Sequence, residues 1–288
     1  MKRFLSWLTA LCLVLPYATP VQAQSAALQH LLRYKRSGCT GFSTNGVIFD
    51  LNPANLSTLF QSITGITAVT ADGDPVGTAQ NAIGGGFDLT AVADTSVRPT
   101  YNTAGGLSWL TFTTGENDVL RRLAALGLYS NGATTIVAAV RAVATTQTSI
   151  VGEGSGTTST PHYSVTRTNS TDFNDLQANY TTDGGTSPLN NVILFDEAFP
   201  ANTDSVIVIT DTGSSILAYY DGVANPGGAT SYTRAATTLD RFSVGARVRL
   251  TTDGYFVGRI SRIRLYNRAM GAPEVANETS CAKATQGR

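Results

Sequence analysis

The 288-residue chain holds two histidines, His30 and His162, three cysteines and two tryptophans, and only 14% of its residues are charged. Each scarcity removes a class of chemistry. With so few histidines and no Gly-x-Ser-x-Gly turn, a Ser-His hydrolase has no visible machinery. Lys plus Arg number 20 and Asp plus Glu number 20. The chain therefore lacks the clustered basic excess that neutralises nucleic-acid phosphates, and no DNA or RNA partner is expected. Gly152-Glu153-Gly154-Ser155-Gly156 has no Lys-Ser/Thr and no helical pattern behind it, so it reads as a hairpin tip, not a phosphate loop. No apolar run reaches the roughly 20 residues of a membrane span.

One apolar stretch does stand at the start. Lys2 and Arg3 precede a run from Phe4 to Leu15, Pro16 closes it, and Val21-Gln22-Ala23 sets small side chains before Gln24. This is the layout of a cleaved secretory signal over residues 1–23, with a retained anchor as the alternative. No membrane span is expected after cleavage, and the expected location is secreted, at the cell surface or periplasmic. Cleavage leaves Cys39 and Cys281. At opposite ends of a domain in an oxidising compartment, they read as a disulfide pair rather than metal ligands.

Residues 24–47 read as an extension with one short helix. Leu28, Leu31 and Leu32 share a face, and Arg33, Lys35 and Arg36 suit the negative end of the helix dipole. So short a helix needs a partner for its leucines, which makes it a candidate interaction segment. Residues 52–60 read as a second short helix entered through Asn52-Pro53. Beyond residue 63 short apolar runs alternate with Thr/Ser/Gly/Asn/Asp tracts, the texture of many strands. Strands are expected at 134–143, 163–168, 192–195, 205–210, 216–220, 242–247 and 255–266, and a helix at 272–284. The fold class this predicts is all-β: a two-sheet antiparallel jelly-roll β-sandwich over 48–288 with short N-terminal and C-terminal helices.

Several stretches resemble the laminin-G-like jelly-roll family of the concanavalin A-like lectin/glucanase superfamily. Arg98-Pro99-Thr100-Tyr101 with Gly105-Gly106-Leu107 and Trp109-Leu110-Thr111-Phe112 is similar to the family's entry into its sandwich. Ile216 to Gly222 resembles one of its strand-and-turn units. Gly254 to Arg259 with Ile263-Arg264-Leu265-Tyr266-Asn267-Arg268-Ala269-Met270 resembles its closing run. Physical sense supports the last: Gly258 permits close sheet approach, Ile260, Ile263 and Leu265 fill the layer between sheets, and a bulge is expected between Ile260 and Ile263. Gly271 stands where the family commonly has a capping Ser, at little cost. Members with openings of this kind resemble bacterial cell-surface or virion proteins.

The resemblance implies calcium as the one candidate cofactor, since relatives bind it through rim-loop acids. Asp183, Asp211 and Asp253, each followed at once or two residues on by Gly, have the chemistry, and plain Asp-Gly turns are the competing reading. Tyr163, Tyr180, Tyr220 and Tyr232 are candidates to stack on sugar rings if grouped on a concave sheet, against a packing role. Trp109 reads as core. The superfamily includes glucanases, but retaining glycosidases need two carboxyls about 5–5.5 Å apart, and the nearest acidic pair, Asp196-Glu197, points to opposite faces of a strand. The expected function is therefore a secreted non-enzymatic binding module for glycan or another surface ligand. A structural protein assembling with copies of itself and a diverged glycoside hydrolase are the alternatives.

Overall fold

A computed structural model describes residues 38–95, 97–113, 115–143, 148–160, 162–167, 175–182, 185, 187, 189–195 (backbone), 200–234 and 237–288. The expected signal segment, the helix carrying Leu28, Leu31 and Leu32, Asp183 and Asp196-Glu197 lie outside the described residues.

The chain begins with β1 (Val47–Leu51), β2 (Leu59–Phe60), β3 (Thr78–Ala79), β4 (Leu89–Thr90), β5 (Thr100–Ala104), β6 (Leu107–Phe112) and β7 (Leu120–Arg122). The middle supplies β8 (Thr134–Ala142), β9 (Thr148–Gly154), β10 (His162–Arg167), β11 (Leu176–Thr181), β12 (Leu189–Phe195), β13 (Ser205–Asp211) and β14 (Ser215–Tyr220). Then follow β15 (Val223–Ala224), β16 (Thr230–Ser231), β17 (Arg241–Val244), β18 (Arg247–Val248), β19 (Thr252–Asp253), β20 (Gly258–Tyr266) and the helix α1 (Ala272–Thr285). The first sheet runs β15-β14-β13-β8-β20-β6-β5, with β1 on β20 and β16 on β14. The second runs β12-β11-β10-β9-β17-β7-β4-β3-β2, and β18-β19 is a separate ribbon. The pairing is antiparallel throughout, as for β8 with β13 and β20, so the jelly-roll sandwich is confirmed.

Alternation builds the core. Along β20, Ile260, Ile263 and Leu265 face inward and are fully buried, as are Ile136 and Val140 of β8 and Phe242 and Val244 of β17. Phe49 meets Phe242 edge-on at 5.6 Å, and Phe112 meets Phe256 at 6.0 Å. The expected bulge is present: register shifts between Ile260 and Arg262, leaving Ser261 unpaired against β8. Gly258 does allow a close approach, but within the sheet. At φ +147°, a Cβ there would sit 2.1 Å from the Arg141 carbonyl on the adjacent strand. The close sheet-to-sheet approach belongs to Gly245, whose Cβ would enter the Phe112 ring.

Two local expectations are corrected. Residues 52–60 form only a 3-10 turn at Leu56–Thr58, because Leu59 and Phe60 are drawn into the second sheet. The glycine-rich run is not a tip. β9 continues through Gly154 with Gly152 and Gly154 paired on both sides, and the turn begins at Ser155.

The outer face of the first sheet is half covered by α1. Val275 and Ala282 pack on Val137, Val206 and Val208, and Glu274 accepts from the Gly271 N–H at the cap. Two outward arginines of β20, Arg262 and Arg264, are sealed in beneath. Arg262 donates to Asp50 at 2.6 Å, Tyr266 Oη donates to Glu278 at 2.7 Å, and the Phe42 ring lies under both Arg262 and Arg264. The predicted Cys39–Cys281 disulfide is present, with Cα atoms 4.7 Å apart. It ties the segment before β1 to α1, and Thr40 and Ser43 add hydrogen bonds to Asn277 and Glu278. Among the described residues no helix is long and apolar enough to cross a membrane.

Candidate ligand-binding face

The four candidate tyrosines do not gather on an open surface. Tyr163 and Tyr180 point between the sheets and are fully buried, and Tyr232 is nearly so. With Tyr129 they form an aromatic cluster at one end of the core: Tyr129 stacks on Tyr180 at 4.0 Å, and Tyr232 meets Tyr180 edge-on at 6.3 Å. Tyr220 lies on β14, half-buried, its hydroxyl 2.8 Å from Ser205 Oγ. Tyr163 and Tyr180 therefore expose no ring for a sugar, because the parity of β10 and β11 turns them inward. The cluster is held by charge. Glu153 accepts from the N–H groups of Leu126 and Gly127 at 2.6 and 2.8 Å, pinning the loop that carries Tyr129. Burial raises the Glu153 pKa, opposed by these N–H donors.

The calcium candidates fare similarly. Asp211 accepts from Tyr232 Oη at 2.6 Å and from Arg234 at 3.0 Å, with the Gly213 N–H on its other oxygen. Asp253 accepts from Arg247 at 2.7 and 3.0 Å and from Arg249 at 2.7 Å. Burial raises its pKa, but the two guanidiniums outweigh this and hold it below the usual carboxylate range. A calcium site needs several uncommitted oxygens. Carboxylates already clasped by arginine do not fit, and among the described residues no three His, Cys, Asp or Glu side chains converge.

The second sheet carries a polar outer face in register, Asn179, Ser164, Gly152 and Ser243 lying side by side across β11, β10, β9 and β17. It is closed. Ser164 and Ser243 are fully buried, and the β18–β19 ribbon lies over β9, its Val248 carbonyl filling the space where Gly154 would carry a Cβ. His162, in the same layer, is pushed down to about 4 by burial and by Arg247 and Arg249.

The first sheet offers an open face where α1 does not reach. Along β6, Leu110 and Phe112 point inward, so Trp109 and Thr111 point out. Trp109 was expected in the core, and strand parity corrects that. Beside it stand Asn102 of β5, its direct cross-strand partner, and Arg259 of β20, the partner of Thr111. Trp109 Nε1 donates to Thr111 Oγ1 at 3.1 Å, and Thr111 Oγ1 donates to Asn102 Oδ1 at 2.6 Å. The Asn102 amide donates to Asp72 at 3.3 Å, which fixes its orientation. The Arg259 guanidinium lies 4.7 Å over the indole. With Val143 and Val257 these residues line an open depression of about 470 Å³. An indole beside oriented hydroxyl, amide and guanidinium groups suits a ligand with apolar ring faces and hydroxyl edges.

Comparison with known proteins places the fold. A family described as the concanavalin A-like lectin/glucanases superfamily matches residues 114–276. No curated protein matches the chain. Among solved structures, the CBM40 of Ruminococcus gnavus IT-sialidase bound to α2,3-sialyllactose is 18% identical, over 50% of this chain and 81% of that one, with a TM-score of 0.41. A variant of the NanB sialidase from Streptococcus pneumoniae is 16% identical over 58% of this chain and 27% of its own, at a TM-score of 0.45. A mutant Trypanosoma rangeli sialidase displaying trans-sialidase activity is 12% identical over 92% of this chain and 40% of its own, at 0.52. The chain thus spans well under half of either sialidase, and likeness at these identities concerns the fold alone. With more than half of its length matched by the family and both sheets in place, the chain belongs to the concanavalin A-like lectin/glucanases superfamily in its laminin-G-like branch.

Proposed function

We propose that this protein is an exported, non-enzymatic module that binds glycan on the open face around Trp109. The observation that carries the reading is the outward-facing, partly exposed indole with its hydrogen-bonded Thr111 and Asn102 neighbours, on a part of the sheet that α1 does not cover. Sugars present apolar ring faces and hydroxyl edges, and an aromatic plane beside amide and hydroxyl groups recognises both at once. The non-catalytic half of the reading is supported by the engagement of three carboxylates: Glu153 by backbone N–H groups, Asp211 and Asp253 by arginines. Export is supported by the layout of residues 1–23 and agrees with the disulfide, which persists in oxidising compartments.

The test is a glycan array followed by titration of the best binders. Trp109→Ala removes the stacking surface and should weaken binding about tenfold or more, since an aromatic contact of about 1.5 kcal/mol corresponds to that factor. Melting should stay close to that of the parent, because the indole lies outside the core. Undiminished affinity in Trp109→Ala would remove the face from consideration. Steady release of reducing sugar from the bound glycan would refute the non-enzymatic reading.

A further inference from the structure

Resting on the glycan reading above, we propose that the open face is built for an anionic glycan, whose carboxylate or sulfate lies across Arg141 and Arg259 while a sugar ring stacks beside Trp109.

The register carries the inference. Arg259 of β20 and Arg141 of β8 are direct cross-strand partners. Their neighbours Ile260, Val140 and Ala142 point into the core, so both guanidiniums emerge on the outer face, Arg259 exposed and Arg141 partly so. Directly opposed residues hold their Cβ atoms about 4.5–5.5 Å apart, and like charges so placed repel. Several arginines elsewhere are neutralised: Arg234, Arg247, Arg262 and Arg268 each have a carboxylate oxygen at 2.6–3.0 Å. Among the described residues, no hydrogen bond or ion pair engages the guanidinium of Arg141 or of Arg259.

Geometry adds a second point. The Arg259 guanidinium carbon lies 4.7 Å over the indole centroid, and the guanidinium N–H groups have no protein acceptor among the described residues. Those N–H groups are the donors that take a planar carboxylate or a sulfate edge in two parallel bonds. Contact with the indole also fixes the fork before the ligand arrives, so less side-chain freedom is lost on binding. Val143, about half exposed, and Val257 border the same depression and offer apolar contact to the ring that bears the anion. Cation, aromatic plane and polar edge thus meet within one pocket.

The experiment compares the full-length exported protein with Arg141→Gln, Arg259→Gln and Trp109→Ala on an array of neutral, carboxylated and sulfated glycans. Affinities are then titrated at low and high NaCl. The expected result is preference for carboxylated or sulfated glycans over their neutral counterparts, at least tenfold weaker binding in each glutamine variant, and a salt dependence that flattens in both. The carboxylated and sulfated arms decide which anion is taken. The glutamine variants should melt at or above the parent in the absence of glycan, since each relieves the repulsion. A lower melting temperature would show that the pair serves the fold and would overturn the proposal. Neutral glycans bound equally well, with loss in Trp109→Ala but not in the glutamine variants, would also overturn it while leaving the glycan reading intact. Loss in none of the three variants would sink both.

Discussion

At the scale of single residues, burial decides what each chemically able side chain does. Tyr163, Tyr180 and Trp109 are all aromatics on strands, yet the tyrosines pack inside while the tryptophan faces out, because each takes the side its strand parity dictates. Had the alternation of Leu110 and Phe112 been followed one step to either side, Trp109 and Thr111 would have been legible as outward. His162 shows burial acting on charge. Its pKa is depressed to about 4 by desolvation and by Arg247 and Arg249, with Asp253 acting in the opposite direction. The unfolded chain therefore binds a proton near pH 6.5 that the folded chain refuses until about pH 4. Stability is complete above about pH 6.5 and falls as pH drops through that window, by on the order of 3 kcal/mol. Thermal melts from pH 7 to 4.5 should show the fall, and His162→Gln should shallow it; an identical slope in the variant would assign the pH dependence to other groups.

Among the secondary-structure elements, β20 organises the molecule. It pairs with β8 along its length and with β6 and β1 on its other side, filling the core from one face and carrying arginines on the other. The bulge at Ser261 lets the strand shift register midway while the isoleucines on both sides stay inward. Gly258 is the point of least tolerance. Gly258→Ala would press a methyl against the Arg141 carbonyl at a backbone angle that side chains resist, and the neighbour is main chain that cannot swing away. The expected cost is about 2–4 kcal/mol, read as a lower denaturant midpoint with unchanged slope. A neutral substitution would show that β8 and β20 relax apart locally at little cost.

For the whole molecule, the termini are what close the structure. The segment before β1 and helix α1 meet over the buried Asp50, Arg262, Arg264 and Glu278 groups, and the Cys39–Cys281 bond locks that seam. Closing a loop of 242 residues contributes about 5 kcal/mol in the chain-entropy model, and less where strain or residual structure intervenes. Reduction, or Cys39→Ser, should lower the melting temperature by about 10 °C, on the basis of 2–4 °C per kcal/mol for a domain of this size. Melting of the reduced protein at the same temperature would show that the buried ionic seam and the helix contacts hold the termini without the bond.

The sequence by itself determined the fold class, the strands β8, β10, β12, β13, β14 and β17, the closing strand with its bulge, the final helix and the disulfide. These follow from local period, turn residues and the two cysteines beyond the expected signal segment, all of which lie along the chain. It did not determine the turn at Leu56–Thr58, the strands β9 and β11, or the shielding of the second sheet's polar face by the β18–β19 ribbon. Nor did it reveal that Asp211 and Asp253 are held by arginines, or that Asn102, Trp109, Thr111, Arg141 and Arg259 share one face. Such partnerships join residues from strands far apart in the chain. Only the register of the assembled sheet brings Arg141 opposite Arg259, and only the placement of α1 decides which part of that sheet stays open to a ligand.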